Sequence, residues 1–215
     1  MSQSPAPRSG ELQVLDGSVP APMSACRVLV LYAHPNPRIS RVNRRLAAAC
    51  RLIDGVELND LYESCPDFYI DVAHERALIS QANVLVLLFP MQWYACPALL
   101  KEWFDAVLLD AWQVDRVKPS ASGNRRRCWL VTSTGSPESD YAPGQRHGRP
   151  LTDYLAPLEQ TARVCGMDWL DPLVLFDAHA VDSAAVDAHV ARFASDLAAL
   201  AGSRCPLPSE VADGI

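Results

Sequence analysis

Four short segments of the chain gather side chains that can bind a ligand and move protons. The first is His34-Pro-Asn-Pro-Arg-Ile-Ser40-Arg-Val-Asn43. If a helix begins here, its free N–H groups and the positive end of its dipole suit a phosphate. Ser40 and Asn43 can add side-chain donors, and Arg38 or Arg41 can add charge. The segment is neither a P-loop nor a GxGxxG turn, and Ser40 could simply cap the helix. The second is Pro90-Met91-Gln92-Trp93-Tyr94-Ala-Cys-Pro97, a loop stiffened by prolines at both ends. Its backbone amides could read the edge of a planar ring, which Trp93 or Tyr94 could flank. The third, Thr132-Ser133-Thr134-Gly135-Ser136, offers hydroxyls and a glycine that lets a ligand approach the backbone. The fourth places Tyr141 and His147 six residues apart around Gly144, and both can give and take protons. His74, His179 and His189 have no comparable setting.

These segments need a scaffold, and the apolar pattern supplies one. Short, nearly continuous apolar runs at Arg27–Ala33, Asn83–Phe89 and Cys128–Thr132 read as strands buried on both faces. Val56–Asp60 and part of Met167–Phe176 complete a set of five. Between them lie stretches with apolar residues at helical spacing. The first carries Val42, Leu46, Cys50 and Ile53 and ends at Gly55; the next covers 72–82. Pro97 opens a third, a fourth follows Pro150, and a fifth starts after Asp182. Residues 61–71 and 110–126 read as connections. Strand and helix therefore alternate five times, which predicts an α/β fold: a doubly wound, five-stranded parallel sheet with helices on both faces. Ligands of such sheets bind at the carboxyl ends of the strands, where the four segments fall. Residues 1–25, rich in Pro, Ser and Ala, read as a disordered arm, 26–201 as the folded domain and 202–215 as a tail.

Composition narrows the function. The chain has 215 residues, 49% hydrophobic and 20% charged, with a net charge of −6. An acidic chain is a poor partner for nucleic acid. The seven cysteines are odd in number, irregularly spaced and without a CxxC pair, which argues against a disulfide framework or a zinc site, and no metal site is expected. Cys50, Cys128 and Cys165 read as small buried hydrophobes. Free thiols fit a reducing cytoplasm. No apolar run is long enough to span a membrane, and the first 22 residues lack the core of a secretory signal.

Taken together, the segments resemble the flavodoxin-like NAD(P)H:quinone oxidoreductases, the DT-diaphorase family, and within it the ancillary flavoproteins of bacterial glutathione-regulated potassium-efflux (Kef) systems. The resemblance rests on Tyr32-Ala-His-Pro35 with Ser40 and Asn43, Gly55-Val-Glu57, Leu61-Tyr62, Pro66-Asp-Phe68, Ile70-Asp71 and Pro90-Met-Gln-Trp-Tyr94. It continues through Pro97-Ala-Leu-Leu-Lys101, Trp103, Asp105, Val107, Cys165-Gly166 and Trp169-Leu170, covering roughly residues 27–200. It implies bound FMN, or FAD as in the diaphorase branch, with NAD(P)H as donor and a quinone as acceptor. His34, Ser40, Arg41, Val42 and Asn43 would hold the phosphate end. Met91, Gln92, Trp93 and Tyr94 would hold the isoalloxazine together with Thr132, Ser133, Thr134, Gly135 and Ser136. Tyr141 and His147 would be the catalytic pair, the histidine as proton donor and the tyrosine as its hydrogen-bonded relay. The run Thr132-Ser-Thr-Gly-Ser-Pro137 departs from the Thr-Thr-Gly-Gly typical of relatives. A homodimer is implied, with Trp103–Trp112 expected in the interface. The rival reading is a regulatory subunit of a potassium-efflux antiporter, cytoplasmic and held at the inner membrane through that partner. An azo- or nitro-reductase shares the same slot, whereas an electron-carrying flavodoxin fits the Tyr141/His147 loop poorly.

Overall fold

The computed structural model describes residues 23–108 and 125–206. Its main sheet is parallel throughout. Strands β2 (Val28–Tyr32), β3 (Val56–Asp60), β4 (Val84–Pro90) and β5 (Arg127–Ser133) lie in the order β3-β2-β4-β5. Two short strands, β6 (Asp168–Trp169) and β7 (Leu173–Leu175), both pair with β5. The fifth predicted strand is thus split in two, because Pro172 between the halves has no N–H to give the ladder.

Alternation along the strands sorts the core into two layers. Leu29, Leu31, Leu85, Leu87, Phe89 and Leu130 face one side, under α3 (Val72–Gln81), α4 (Ala98–Trp103) and α5 (Leu151–Val164). Val28, Val30, Val84, Val86, Leu88 and Val131 face the other, under α1 (Asn43–Cys50) and α6 (Ser183–Gly202). Every residue of β2 is buried, as a strand covered on both faces requires. At ~25 cal/mol per Å² of apolar surface removed from water, these two layers are the main stabilising term. Because β2 lies between β3 and β4, the connection from β2 to β3 through α1 covers one face and that from β3 to β4 through α3 covers the other, so the carboxyl ends of β2 and β4 flank a crevice.

The structure departs from the predicted elements in several places. The stretch 61–71 is not all loop: Asp60 accepts N–H bonds from Tyr62 and Glu63 and caps a one-turn helix, α2 (Leu61–Ser64). Helix α1 stops at Cys50, and Gly55, at φ +79°, instead makes the left-handed turn into β3. Beyond α4 the chain continues as one π-helical turn, Phe104–Leu108. Trp103 does not face a second copy of the chain. It is fully buried and donates its indole N–H to Glu75 at 2.7 Å, and Phe104, Val107 and Leu108 are buried beside it. An indole with a partner inside the core has no surface to offer an interface; the rest of that stretch, 109–112, lies outside the described residues.

Order also extends past both expected edges. Strand β1 (Met23–Ala25) pairs antiparallel with β8 (Arg204–Pro206) in a separate two-stranded ribbon. Cys26, directly after β1, and Cys205, within β8, form a disulfide, against the expectation of no disulfide framework. Their sequence separation of 179 explains why spacing did not reveal the pair. Cys50, Cys65, Cys96 and Cys128 are free thiols. Among the described residues, no helix is long and apolar enough to cross a membrane.

Candidate functional site

The loops after β2, β4 and β5 bring the predicted segments to one edge of the sheet. At the β2 end, His34 is buried, and its Nδ1 accepts the N–H of Asn36 at 3.1 Å. That bond leaves the imidazole proton on Nε2, so the ring is a donor on its other side. Desolvation by burial holds its pKa below the ordinary value and keeps the ring neutral. Ser40 is buried, and its Oγ accepts the Arg44 N–H at 3.2 Å. It does cap the first turn, while the formal cap residue Val42 offers no side-chain bond.

Asn43, 2% exposed, is the first residue of α1. Its amide donates to Ser133 Oγ at 2.9 Å, tying the first segment to the third. Its Oδ1 is buried with no partner. An unsatisfied buried acceptor costs about 1–3 kcal/mol, and such an atom at a helix start calls for a donor that the chain does not supply. Arg41 instead reaches the Val181 carbonyl at 2.7 Å, and Arg45 pairs with Asp187 at 2.6 Å. Both cations are anchored to the α6 side.

The second segment is a tight turn. Gln92 and Ala95 exchange both backbone hydrogen bonds at 3.0 Å, and Trp93 and Tyr94 between them have φ of +48° and +65°. Two left-handed residues in succession make a primed turn, normally built from Asn and Gly. Aromatic residues held there cost of order 1 kcal/mol each or more, and such strain collects at functional sites. The turn leaves Trp93 93% exposed, an indole standing in solvent above the strand ends. The Met91 N–H donates to the Ser133 carbonyl, so the turn is also fixed to β5.

The fourth segment folds against that turn. Tyr141 stacks on His147 with ring centres 4.3 Å apart. The hydrogen-bond partner of His147 is, however, not Tyr141 but Tyr94, whose hydroxyl lies 3.2 Å from Nδ1. A tyrosine stacked on the imidazole cannot reach its ring nitrogens in the ring plane, so the expected Tyr141 relay is replaced by Tyr94. His147 Nε2 is buried without a partner. Burial raises the Tyr141 pKa and keeps its hydroxyl protonated. Met91, Trp93, Tyr94, Tyr141, Arg146 and His147 line a pocket of about 220 Å³.

Three contributors were missed in the sequence. Tyr154, in the first turn of α5, stacks on Tyr94 at 4.8 Å and donates its hydroxyl to the His147 carbonyl. Phe176 packs against Tyr141 at 5.8 Å. His179, expected to have no comparable setting, lies over Gly135, where an added Cβ would come within 3.6 Å of the ring. Each follows a strand or ligand-side loop, and that position is the only sequence signal they carry. Within the third segment, Thr132 and Thr134 serve the scaffold, donating to the carbonyls of Phe89 and Ser136. A second pocket, of about 240 Å³ and lined by Arg27, Gly55, Glu57 and Gln81, lies at the opposite, amino end of the strands, away from all four segments.

The arrangement suits a flat, partly polar ligand with an anionic tail. The tail end offers the α1 start, the neutral His34 donor and the orphaned Asn43 acceptor. The ring end offers aromatic walls, free backbone at the Trp93–Tyr94 turn, and a buried imidazole nitrogen that lacks a partner. These are the donors, acceptors and surfaces that a flavin mononucleotide requires, so the residues present fit that group.

Comparison with known proteins agrees with this geometry. Residues 26–198 match a family described as having a flavodoxin-like fold. The glutathione-regulated potassium-efflux system ancillary protein KefG of Cronobacter sakazakii is 42% identical over 150 residues, 70% of this chain and 80% of that protein. The corresponding ancillary protein KefF of an Enterobacter species is 40% identical over 148 residues, 69% of this chain and 82% of the relative. Among solved structures, general stress protein 14 of Treponema denticola in complex with FMN is 34% identical. It superposes with a TM-score of 0.67 over 81% of this chain and 97% of its own.

Proposed function

The chain belongs to the flavodoxin-like family, with Kef ancillary proteins among its relatives, and from that membership we propose that it is an FMN-dependent NAD(P)H oxidoreductase whose acceptor is a quinone. The observation that carries the reading is the joined site itself. Asn43 at the α1 start is bonded to Ser133, Ser133 to the Met91–Tyr94 turn, and Tyr94 to His147. One hydrogen-bonded path therefore runs from a phosphate-binding end to a ring-binding end.

Bound flavin supplies the chemistry that the chain lacks, accepting a hydride from a nicotinamide and passing two electrons to the next occupant of the slot. His34, Ser40 and Asn43 hold the phosphate and ribityl end, with the α1 dipole favouring negative charge. The Trp93–Tyr94 turn, with Gly135 and Ser136, positions the ring. Tyr94, Tyr141 and Tyr154 form the wall against which a planar donor or acceptor stacks and from which water is excluded. His147 holds a proton at the ring nitrogens. Tyr94 at Nδ1 sets which nitrogen carries it, and the stacked Tyr141 keeps the imidazole from turning. A charge that develops on the reacting ring would meet a prepared donor there. Anaerobic mixing of FMN-loaded protein with NADH or NADPH should bleach the flavin band, and a quinone should restore it. No bleaching with either nucleotide would refute the enzymatic reading.

The names of the relatives support a second reading, a regulatory subunit that associates with a potassium-efflux antiporter at the membrane. In that case co-expression with the antiporter should change potassium efflux even in a variant that no longer turns over quinone. A homodimer belongs to either reading. Ile39, Tyr69 and Trp93 are 77%, 76% and 93% exposed, and all three stand in loops after the carboxyl ends of β2, β3 and β4. A second copy covering them would close the ring end of the site. Light scattering at micromolar concentration decides this, with a dimeric mass expected.

A further inference from the structure

At the amino end of the sheet, opposite the flavin edge, Cys26 and Cys205 sit under a cation. The Arg127 guanidinium donates from Nη2 toward Cys26 Sγ at 3.3 Å and Cys205 Sγ at 3.5 Å, and to Ser203 Oγ at 2.9 Å. The Ser203 hydroxyl hydrogen is engaged by the Leu200 carbonyl at 2.6 Å, so Arg127 is the donor that both sulfurs share. Both cysteines are buried, and neither belongs to the two hydrophobic layers of the domain. A chain of this length does not depend on a disulfide for its core. The bond instead closes a ribbon of two three-residue strands that stands apart from the main sheet, and a ribbon that small opens easily by itself.

We propose that Cys26 and Cys205 are a thiol–disulfide exchange site for a low-molecular-weight thiol. A cation that touches both sulfurs adds little to a neutral disulfide but strongly favours the thiolates formed when it opens. It therefore makes the pair easier to reduce than a disulfide placed only to brace a fold. The reaction balances without a further reactant. One external thiolate attacks one sulfur of the pair, forming a mixed disulfide and releasing the other cysteine as thiolate beside Arg127. A second external thiol displaces the first cysteine and leaves as the external disulfide, and the protein holds two thiols. Opening removes the disulfide cross-link between the first and last described strands and leaves the β1–β8 pairing held by non-covalent contacts. The inference does not depend on the flavin reading, because the site lies at the other end of the strands.

The test equilibrates the full-length protein in mixtures of reduced and oxidised glutathione, quenches with acid, alkylates and weighs the Cys26 and Cys205 peptides. Wild type should pass from closed to open as the reduced fraction rises. Arg127→Gln should need about tenfold more reducing conditions for the same opening, about 30 mV for a two-electron couple. Circular dichroism establishes that the variant is folded, and Arg127→Lys, which keeps the charge, should recover much of the difference. Backbone amides of residues 24–26 and 203–205 should exchange faster in the reduced protein, while those of β2 and β4 should not. A bond that stays closed in a large excess of reduced glutathione would overturn the proposal, as would an Arg127→Gln equilibrium equal to that of wild type.

Discussion

Replacing Asn43 by alanine separates a binding role from a packing role. In the unliganded protein the substitution removes the bond from Asn43 Nδ2 to Ser133 Oγ, a loss of about 1 kcal/mol, and leaves the buried hydroxyl with one partner fewer. It also removes Oδ1, which is buried with no partner and already costs about 1–3 kcal/mol. The two effects oppose each other, so the net change should stay within about 1 kcal/mol. For a chain of this size that is a shift of about 2–4 °C in Tm. In the liganded protein the balance differs, because Oδ1 would have found its donor in a ribityl hydroxyl. A neutral hydrogen bond of that kind is worth about 0.5–1.5 kcal/mol, which is roughly 2- to 12-fold in Kd. Fluorescence titration of FMN and melting of the flavin-free protein read the two quantities separately. A drop of more than about 5 °C in Tm with unchanged FMN affinity would refute the reasoning and leave Asn43 as a strut between α1 and β5.

Three further outcomes follow from the same contacts. His147→Gln should slow flavin reduction by about 10²-fold, the lower end for a positioned acid or base. Tyr94→Phe, which loses one bond of about 1 kcal/mol, should slow it about fivefold. Rapid mixing with NADH or NADPH measures both, and wild-type rates would return the loop to an incidental turn. Tyr141→Phe, which keeps the stacked ring, should change the rate less than Tyr94→Phe does; the reverse order would restore the relay expected from spacing. Stability should also fall at both ends of the pH scale. Burial depresses the pKa values of His34 and His189, so the unfolded chain takes up protons first and stability is lost as pH falls through about 6.5. Burial, aided by Asp60, pushes Tyr32 from 10.0 up to about 12, so the unfolded chain gives up its proton first and stability is lost as pH rises from 10 toward 12. Denaturant titration across pH should show the acid limb flattened in His34→Asn and the alkaline limb flattened in Tyr32→Phe.

The scaffold was legible because its strands are buried on both faces. Val28–Tyr32, Val84–Pro90 and Arg127–Ser133 are apolar runs that cannot be mistaken for surface, and the alternation of Leu and Val along them even sorts the two core layers. The helices followed from their apolar spacing and from Pro97, Pro150 and Asp182 at their starts. The site segments were legible as loops at strand ends. Their internal wiring was not, since the bonds that join them span long separations: 90 residues from Asn43 to Ser133 and 53 from Tyr94 to His147. Six-residue spacing pointed to Tyr141, whereas the fold brought Tyr94 to the imidazole and left Tyr141 to stack on it. Positive φ at Trp93 and Tyr94 could not be foreseen, because nothing but a neighbouring strand obliges aromatic residues to take it. Trp103 was read as interface for its composition and proved to be core, where a buried Glu75 waits for its N–H.

Flavin binding is tested most directly by the absorption spectrum of the purified protein. The protein should be yellow, or should become so when flavin-free protein is incubated with FMN and freed of excess. The chromophore it releases should run as FMN on chromatography. A colourless protein that neither gains flavin absorbance on reconstitution nor quenches FMN fluorescence would contradict the assignment of the His34–Asn43 and Met91–Tyr94 segments to a flavin.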